Sequence, residues 1–368
     1  MNDMFYKIEY CLKYKDDIVF KFNIKNKSLT MVNEKLLPLS LHNKKQDYSL
    51  VQKFIADRIL MLNREFCKEI LTASGIEDQN DMNICIVCKG LSFRDNYWIS
   101  RTNSKEKWAD VNLYQNEFSV NISKVALTGN MKDATIDGTL GDKIFTGELT
   151  NKGTRAKCYF RYNNKLYLFK YETKEEIMSE MVTSFIADAL NVPCSTYKNV
   201  NLYDKECSAC EIFTSEDREL IPCRDVLSHY NTITMNYQGP CYQAFMAIDG
   251  PNFIKMQILD YVTLNIDRNR DNFGLLSCNG SLVSLYPLFD HDSCFKGVST
   301  NGVYFPTGVT FAKTLELLKT TYGDSYKKLS KDIVRFKNIV TSEEFKELFL
   351  KYKSSIVYYG MIGRVNNL

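Results

Sequence analysis

Apolar and polar positions along this chain change period several times, and each change predicts an element. Residues 5–32 alternate as half-buried strands do, with Ile18–Ile24 and Leu29–Asn33 as two strands around the polar turn Lys25–Ser28. From Ser49 to Ser74, Val51, Phe54, Ile55, Ile59, Leu62, Phe66 and Ile70 recur at helical spacing, which predicts a helix stopped at Gly75. The apolar run Ile84–Cys88 reads as a strand. Cys158–Tyr162 and Leu166–Tyr171 predict a hairpin about Asn163-Asn164-Lys165. A helix follows over Glu172–Leu190, with Ile177, Met181, Phe185 and Leu190 on its apolar side and Glu180 at the edge of that side. Two more strands end in Glu211-Ile212-Phe213-Thr214.

Pro251 opens another helix, whose buried face repeats through Ile254, Ile258 and Tyr261–Val262 and runs out near Asn265. Asp267–Arg270 is then a polar turn. Asn272–Leu276 and Leu282–Phe289 read as short strands joined through Asn279-Gly280, a strong hairpin dipeptide. Beyond Asp292 the pattern is mostly helical, and its mixed charge reads as a solvated face.

Composition narrows the class. Hydrophobic content of 45% and charged content of 25% are those of a globular protein, and a net charge of +3 offers no footprint for nucleic acid. The first residues lack the pattern of a secretion signal, and no apolar run approaches the ~20 residues of a membrane span. A cytoplasmic protein is expected, without membrane attachment. Twelve cysteines then read as reduced thiols. Cys85–Cys88 and Cys207–Cys210 have CxxC spacing, but buried structural cysteines explain them better than zinc does. The tryptophans in the aromatic segments at 90–101 and 107–119 read as packing anchors.

Candidate chemistry gathers around Asp267. Four residues separate it from Asn272, and Asp290 follows one hairpin later. A kinase catalytic loop has this spacing, because one carboxylate must orient and deprotonate a hydroxyl while an amide and a second carboxylate hold magnesium. The bland alternative pairs Asp267 with Arg268 on the surface and makes Asp290 a turn residue. Upstream, Leu149–Lys157 lies in a Gly-, Thr- and Lys-rich stretch (residues 129–157) whose backbone N–H groups and lysines suit phosphate, or which is simply a surface loop. Lys170 ends an apolar strand, and a strand lysine paired with a glutamate of the next helix, here Glu180, is how kinases hold nucleotide phosphates.

Seven segments carry a resemblance: GLSFRDNYW, KWADVNLYQNEFS, GELTNKGTRAKCY, LFKY, SACEIF, NIDRNRDNFG and PLFDHD, in this order. Together they resemble the HipA-like serine/threonine kinases, a bacterial branch whose fold is related to the phosphoinositide kinases. The resemblance spans essentially the whole chain. It implies an α+β, two-lobed protein-kinase-like fold with an N-terminal accessory β/α region (1–125), a small lobe (126–213) and a mostly helical large lobe (214–368).

The resemblance also implies ATP and magnesium as cofactors. Asp267 becomes the catalytic base, and Asn272 and Asp290 the magnesium ligands. Lys170 contacts the ATP phosphates with Glu180 as its partner; Gly153, Thr154 and Lys157 lie in the phosphate loop; Glu211, Ile212 and Phe213 form the hinge. Thr150 and Thr154 are the autophosphorylation candidates, since regulation of this kind occurs in the family. One departure is Asn269, where the family often has histidine, and altered packing rather than lost activity is expected from it. The partners implied are an unidentified protein substrate and an antitoxin-type protein, with no direct nucleic-acid binding. A lipid kinase and a non-catalytic kinase-fold binding module are the rival readings. Against the first stands the absence of a polybasic or amphipathic membrane-facing helix, and against the second the presence of every residue the chemistry needs.

Overall fold

The computed structural model describes residues 8–77, 80–133, 146–297 and 299–368. Part of the Gly- and Thr-rich stretch, residues 134–145, lies outside the described residues, as do residues 5–7 of the first alternating segment. The chain divides into two compact units. One comprises residues 1–171, 201–205 and 214–219, the other 172–200, 206–213 and 220–368.

The first unit starts with an antiparallel sheet of β1 (Glu9–Tyr14), β2 (Asp17–Asn23), β3 (Ser28–Met31) and β4 (Tyr97–Arg101), in the order β3-β2-β1-β4. The two strands expected from alternation are β2 and β3; β1 is an additional strand before them. Its inner face buries Tyr10, Leu12, Phe20 and Phe22, and Trp98 on β4 is fully buried with its Nε1 donating to Lys15 O at 2.7 Å. Trp108 is buried too, so both tryptophans anchor packing.

Two expectations fail in this unit. The helix over 49–74 is broken into α1 (Ser49–Ala56) and α2 (Cys67–Ala73). Phe66 just before α2 sits at φ 59, and the connecting turn carries Arg64 with its side chain fully buried, which a continuous surface helix could not accommodate. The run Ile84–Cys88 is not a strand: Ile84–Val87 belongs to α3 (Asp81–Val87) and Cys88 caps its C-terminus. Asn80 caps that helix, its side chain accepting from Met82 N at 2.9 Å and Asn83 N at 3.4 Å, and Asp81 complements the positive end. The cap outweighs the β preference of a short Ile/Val run. After α4 (Trp108–Val111) and α5 (Val120–Thr128) come β5 (Lys157–Tyr162) and β6 (Lys165–Tyr171), paired in register about Asn163-Asn164 as the hairpin pattern requires.

The second unit opens with α6 (Lys174–Leu190). Thr173 accepts from Glu176 N at 3.3 Å while Glu176 accepts from Thr173 N at 3.0 Å, a reciprocal capping box. Its buried side is rotated from the expected one: Met181 and Phe185 are only half-buried, whereas Ile177, Glu180, Thr183 and Ala187 are buried. Next in chain order come β7 (Tyr197–Leu202), β8 (Lys205–Glu211) and β9 (Arg218–Pro222), with residues 201–205 and 218–219 belonging to the first unit, then α7 (Cys223–His229) and α8 (Pro240–Thr263). Helix α8 is interrupted at Asp249, just before Pro251, so the helix start read at Pro251 is a restart.

Strands β10 (Gly274–Cys278) and β11 (Ser281–Leu285) form the hairpin about Asn279 (φ 49) and Gly280 (φ 79), the positive pair a two-residue turn demands. A short ladder of β12 (Val303–Tyr304) and β13 (Val309–Thr310) precedes α9 (Phe311–Thr320), α10 (Gly323–Lys328), α11 (Ser330–Val340), α12 (Glu343–Leu350) and α13 (Ser355–Asn366). Among the described residues no helix is long and apolar enough to cross a membrane. Cys85, Cys88, Cys207 and Cys210 are buried free thiols.

Candidate active site

In the second unit, α8 ends at Leu264, in the left-handed region at φ 49, and releases the chain into a polar loop. Asn265 is buried; its Oδ1 accepts from Asp267 N at 3.1 Å while its Nδ2 donates to Asp260 Oδ1 at 3.2 Å. Asn272 is buried as well, and its Nδ2 donates to Asp267 O at 3.1 Å. The loop therefore closes on itself, with Asp267 between two asparagines.

Arg268 is the hub. Its side chain is fully buried and pairs with Asp260, Nη2 to Oδ1 at 3.0 Å and Nε to Oδ2 at 3.1 Å. Nη1 donates to Asn272 O at 2.9 Å and to Phe289 O at 3.0 Å, and Nη2 contacts His291 Nδ1 at 3.1 Å. Tyr304 Oη completes the set by donating to Asp260 Oδ2 at 2.9 Å. The surface pairing of Arg268 with Asp267 is thus excluded: the guanidinium points inward and bolts the loop of Asp267 and Asn272 to the segment that carries Asp290.

Asp290 adopts φ 64, a left-handed conformation uncommon for a residue other than glycine, and its N–H donates to Tyr197 Oη at 3.0 Å. The next N–H, that of His291, donates to Glu180 Oε2 at 2.7 Å, so Glu180 is tied to the Asp290 segment. His291 Nε2 lies 3.2 Å from Cys194 Sγ. Phe213 stacks against Tyr286 and packs on Phe289, with ring centroids 5.8 and 6.1 Å away. Within this unit the chain thus assembles Asp267, Asn272 and Asp290, with Glu180 and Phe213 linked to the same segment. Glu211 ends β8, and Ile212 and Phe213 follow it.

The electrostatics suit a base among carboxylates. Partial desolvation raises the Asp267 carboxyl from its ordinary value, and Asp290 and Asp292 push it the same way, while the Asn269 amide and Arg268 oppose them. Asn269 Nδ2 lies 3.3 Å from Asp267 Oδ1, and Asn269 O accepts from Asn272 N at 3.1 Å. This residue supports the loop from within.

In the first unit, Lys157 on β5 lies directly opposite Lys170 on β6. Opposed residues share a face, so both lysines lie on one face of this hairpin. Gly153 has φ 99, and a Cβ at that position would come within 2.5 Å of Lys157 Nζ. The structure thus brings Gly153, Lys157 and Lys170 together. Thr154 is exposed, whereas Thr150 is buried with its hydroxyl donating to Leu91 O at 2.6 Å and Gly147 O at 3.1 Å.

Within the second unit, Asn272 and Asp290 offer donors that suit magnesium. With Asn272 Nδ2 committed to Asp267 O, the remaining side-chain atom is a hard oxygen donor, like the Asp290 carboxylate. Among the described residues no group of three or more His, Cys, Asp and Glu side chains is placed to hold a metal. Two protein ligands suffice for magnesium, which keeps waters and phosphate oxygens. At Gly153 the positive φ of 99 disfavours any other residue, and a Cβ there would displace the Lys157 ammonium. Sequence reasoning missed Asp260, Asn265, Tyr197 and His291, and gave Arg268 no role in the loop. Burial of an arginine eight residues after an aspartate is a tertiary fact with no local signal.

No family model matches the chain, and no curated protein matches it. Among solved structures it is similar to HipA from the toxin–antitoxin complex of Shewanella oneidensis MR-1 with HipB and operator DNA, at 10% identity with 97% of each chain covered and a TM-score of 0.60. It is also similar to the Helicobacter pylori proinflammatory kinase CtkA, at 17% identity over 57% of this chain and 89% of that one, with a TM-score of 0.38. The likeness to HipA shows the fold, a mixed α+β kinase-type fold, as the sequence segments imply.

Proposed function

We propose that this chain is an ATP- and magnesium-dependent serine/threonine protein kinase of HipA-like type, which transfers a phosphoryl group to a protein hydroxyl and to itself. The observation that carries the reading is the Arg268 hub, which holds the loop of Asp267 and Asn272 against the segment of Asp290. Such bracing is what chemistry by positioning requires.

Asp267 orients the acceptor hydroxyl and takes its proton at a carboxylate oxygen, and its raised affinity for protons suits that task. Asn272 and Asp290 are the residues assigned to magnesium, which when bound neutralises phosphate charge. Lys170, with Glu180 as partner, and the loop residues Gly153, Thr154 and Lys157 are assigned to the nucleotide phosphates; Glu211, Ile212 and Phe213 are assigned to the adenine. The HipA to which this fold is similar is in complex with HipB and operator DNA, and we extend only the protein part of that likeness, an antitoxin-type partner, to this chain.

Thermal unfolding with and without MgATP tests the binding half. Wild type should be stabilised only when both magnesium and ATP are present, and Asn272→Ala should lose that stabilisation while unfolding cooperatively on its own. Equal stabilisation of the variant would refute the assignment of Asn272.

A further inference from the structure

The phosphate loop is shaped from outside itself. Residues 56–65, the end of α1 and the turn before α2, bind it repeatedly. Lys152 Nζ donates to Ala56 O at 2.9 Å, and Leu60 N donates to Leu149 O at 2.8 Å. The buried Arg64 donates to Glu148 O at 2.9 Å, Asn151 O at 3.3 Å and Lys157 O at 2.6 Å, and pairs with Glu148 Oε2 at 3.3 Å. Glu65 N donates to Thr154 O at 2.7 Å, and Glu65 Oε2 accepts from Ala156 N at 3.2 Å. Glu148 is anchored in turn, its Oε1 accepting from Tyr159 N at 2.7 Å.

The direction of these bonds matters. Carbonyls at Leu149, Asn151, Thr154 and Lys157 all turn toward the 56–65 segment. No described peptide bond is cis, and in a trans peptide the N–H points opposite to the preceding C=O. The N–H groups of Lys152 and Arg155 therefore point away from the segment. That is how a loop presents backbone donors to an anion.

We infer that Arg64 and Glu65 are positioning residues: the 56–65 segment is a mould that turns the carbonyls of Asn151 and Thr154 inward, holds Ala156 N–H on Glu65, and so directs the N–H groups of Lys152 and Arg155 outward for phosphate. The inference rests on the kinase reading for what is bound, but not for the shape of the loop. It gives the N-terminal region a role in nucleotide binding although it carries no residue assigned to contact the nucleotide.

The test uses the full chain in three variants. Glu65→Ala removes the exposed acceptor of Ala156 N, Glu65→Gln keeps an acceptor there, and Arg64→Lys keeps the charge but not the planar fork. Trypsin cleavage after Lys152, Arg155 and Lys157 is timed without nucleotide, and the Kd for MgATP is measured alongside the melting temperature. Glu65→Ala should be cleaved about fivefold faster and bind MgATP about fivefold more weakly, as expected for one hydrogen bond, with its melting temperature kept. Glu65→Gln should stay close to wild type, and Arg64→Lys should exceed Glu65→Ala in both readouts. Cleavage of Glu65→Ala and Arg64→Lys at the wild-type rate would overturn the inference. Failure of wild type to bind MgATP would instead overturn the kinase reading, and the mould would then be judged on cleavage alone.

Discussion

Arg268 Nη2 lies 3.1 Å from His291 Nδ1, joining residues 23 positions apart in the fully buried interior. A guanidinium has donors only, so Nδ1 must be the acceptor and the ring proton must sit on Nε2, facing Cys194 Sγ. The tautomer of the histidine beside Asp290 is thereby fixed by the arginine beside Asp267. Nitrogen-15 NMR of the imidazole at neutral pH should show the Nε2–H form; a proton on Nδ1 would contradict the contact.

Removing that arginine should be costly. Arg268→Met leaves Asp260 buried and facing no cation, and strips the acceptors at Asn272 O and Phe289 O of their donor. Breaking a buried pair on one side costs about 3–5 kcal/mol, which denaturant titration will read directly. A loss below about 1 kcal/mol would place Arg268 on the surface in solution.

Self-phosphorylation, if it follows the proposed reading, should fall on Thr154. Its neighbour Thr150 is buried with its hydroxyl committed to two carbonyls, while Thr154 is exposed beside Gly153. Peptide mapping after incubation with MgATP should find phosphate on residue 154 and lose it in Thr154→Val. A phosphate there would compete for the same N–H groups and lysines as the nucleotide. Phosphate on Thr150 would require the loop to unpack first.

The N-terminal unit carries a group that titrates near neutrality. Burial, then Asp95, pushes the Glu219 carboxyl up to about 7, against donors from Asn96 N and Tyr14 Oη and against Lys15. The folded state therefore holds this proton more tightly than the unfolded chain. The contribution to stability is full below the unfolded value and is lost as pH rises through about 7. Its size is on the order of 3 kcal/mol. Glu219→Gln should flatten the fall in unfolding free energy between pH 5 and 8. An unchanged pH profile would show that Glu219 titrates normally.

What was legible in the sequence was local. Asn279-Gly280 specifies its hairpin because only residues tolerant of positive φ fit the turn, and the Thr173–Glu176 box marks the start of α6 by its chemistry. The order of Lys170, Glu180, Asp267, Asn272 and Asp290 pointed to the fold because the kinase fold supplies those groups in that order along the chain. What was not legible depends on partners distant along the chain. Residues 57–66 carry a helical apolar pattern but form a turn, because Arg64 is drawn to carbonyls about 90 positions away. Ile84–Cys88 looked like a strand because apolar periodicity is ambiguous over five residues, and the Asn80 cap decided it. The surface pair of Arg268 with Asp267 was the alternative to the kinase reading, and only the buried Asp260, eight residues earlier, shows that the guanidinium turns inward.

The most direct measurement is phosphoryl transfer itself: incubation of the purified chain with labelled ATP and magnesium, comparing wild type with Asp267→Ala and Asp290→Ala. The account predicts label on phosphoserine or phosphothreonine in wild type and its loss in both variants, each still folded by circular dichroism. Label of equal intensity in all three proteins would contradict it, as would a wild type that neither labels itself nor phosphorylates any protein of a cell extract.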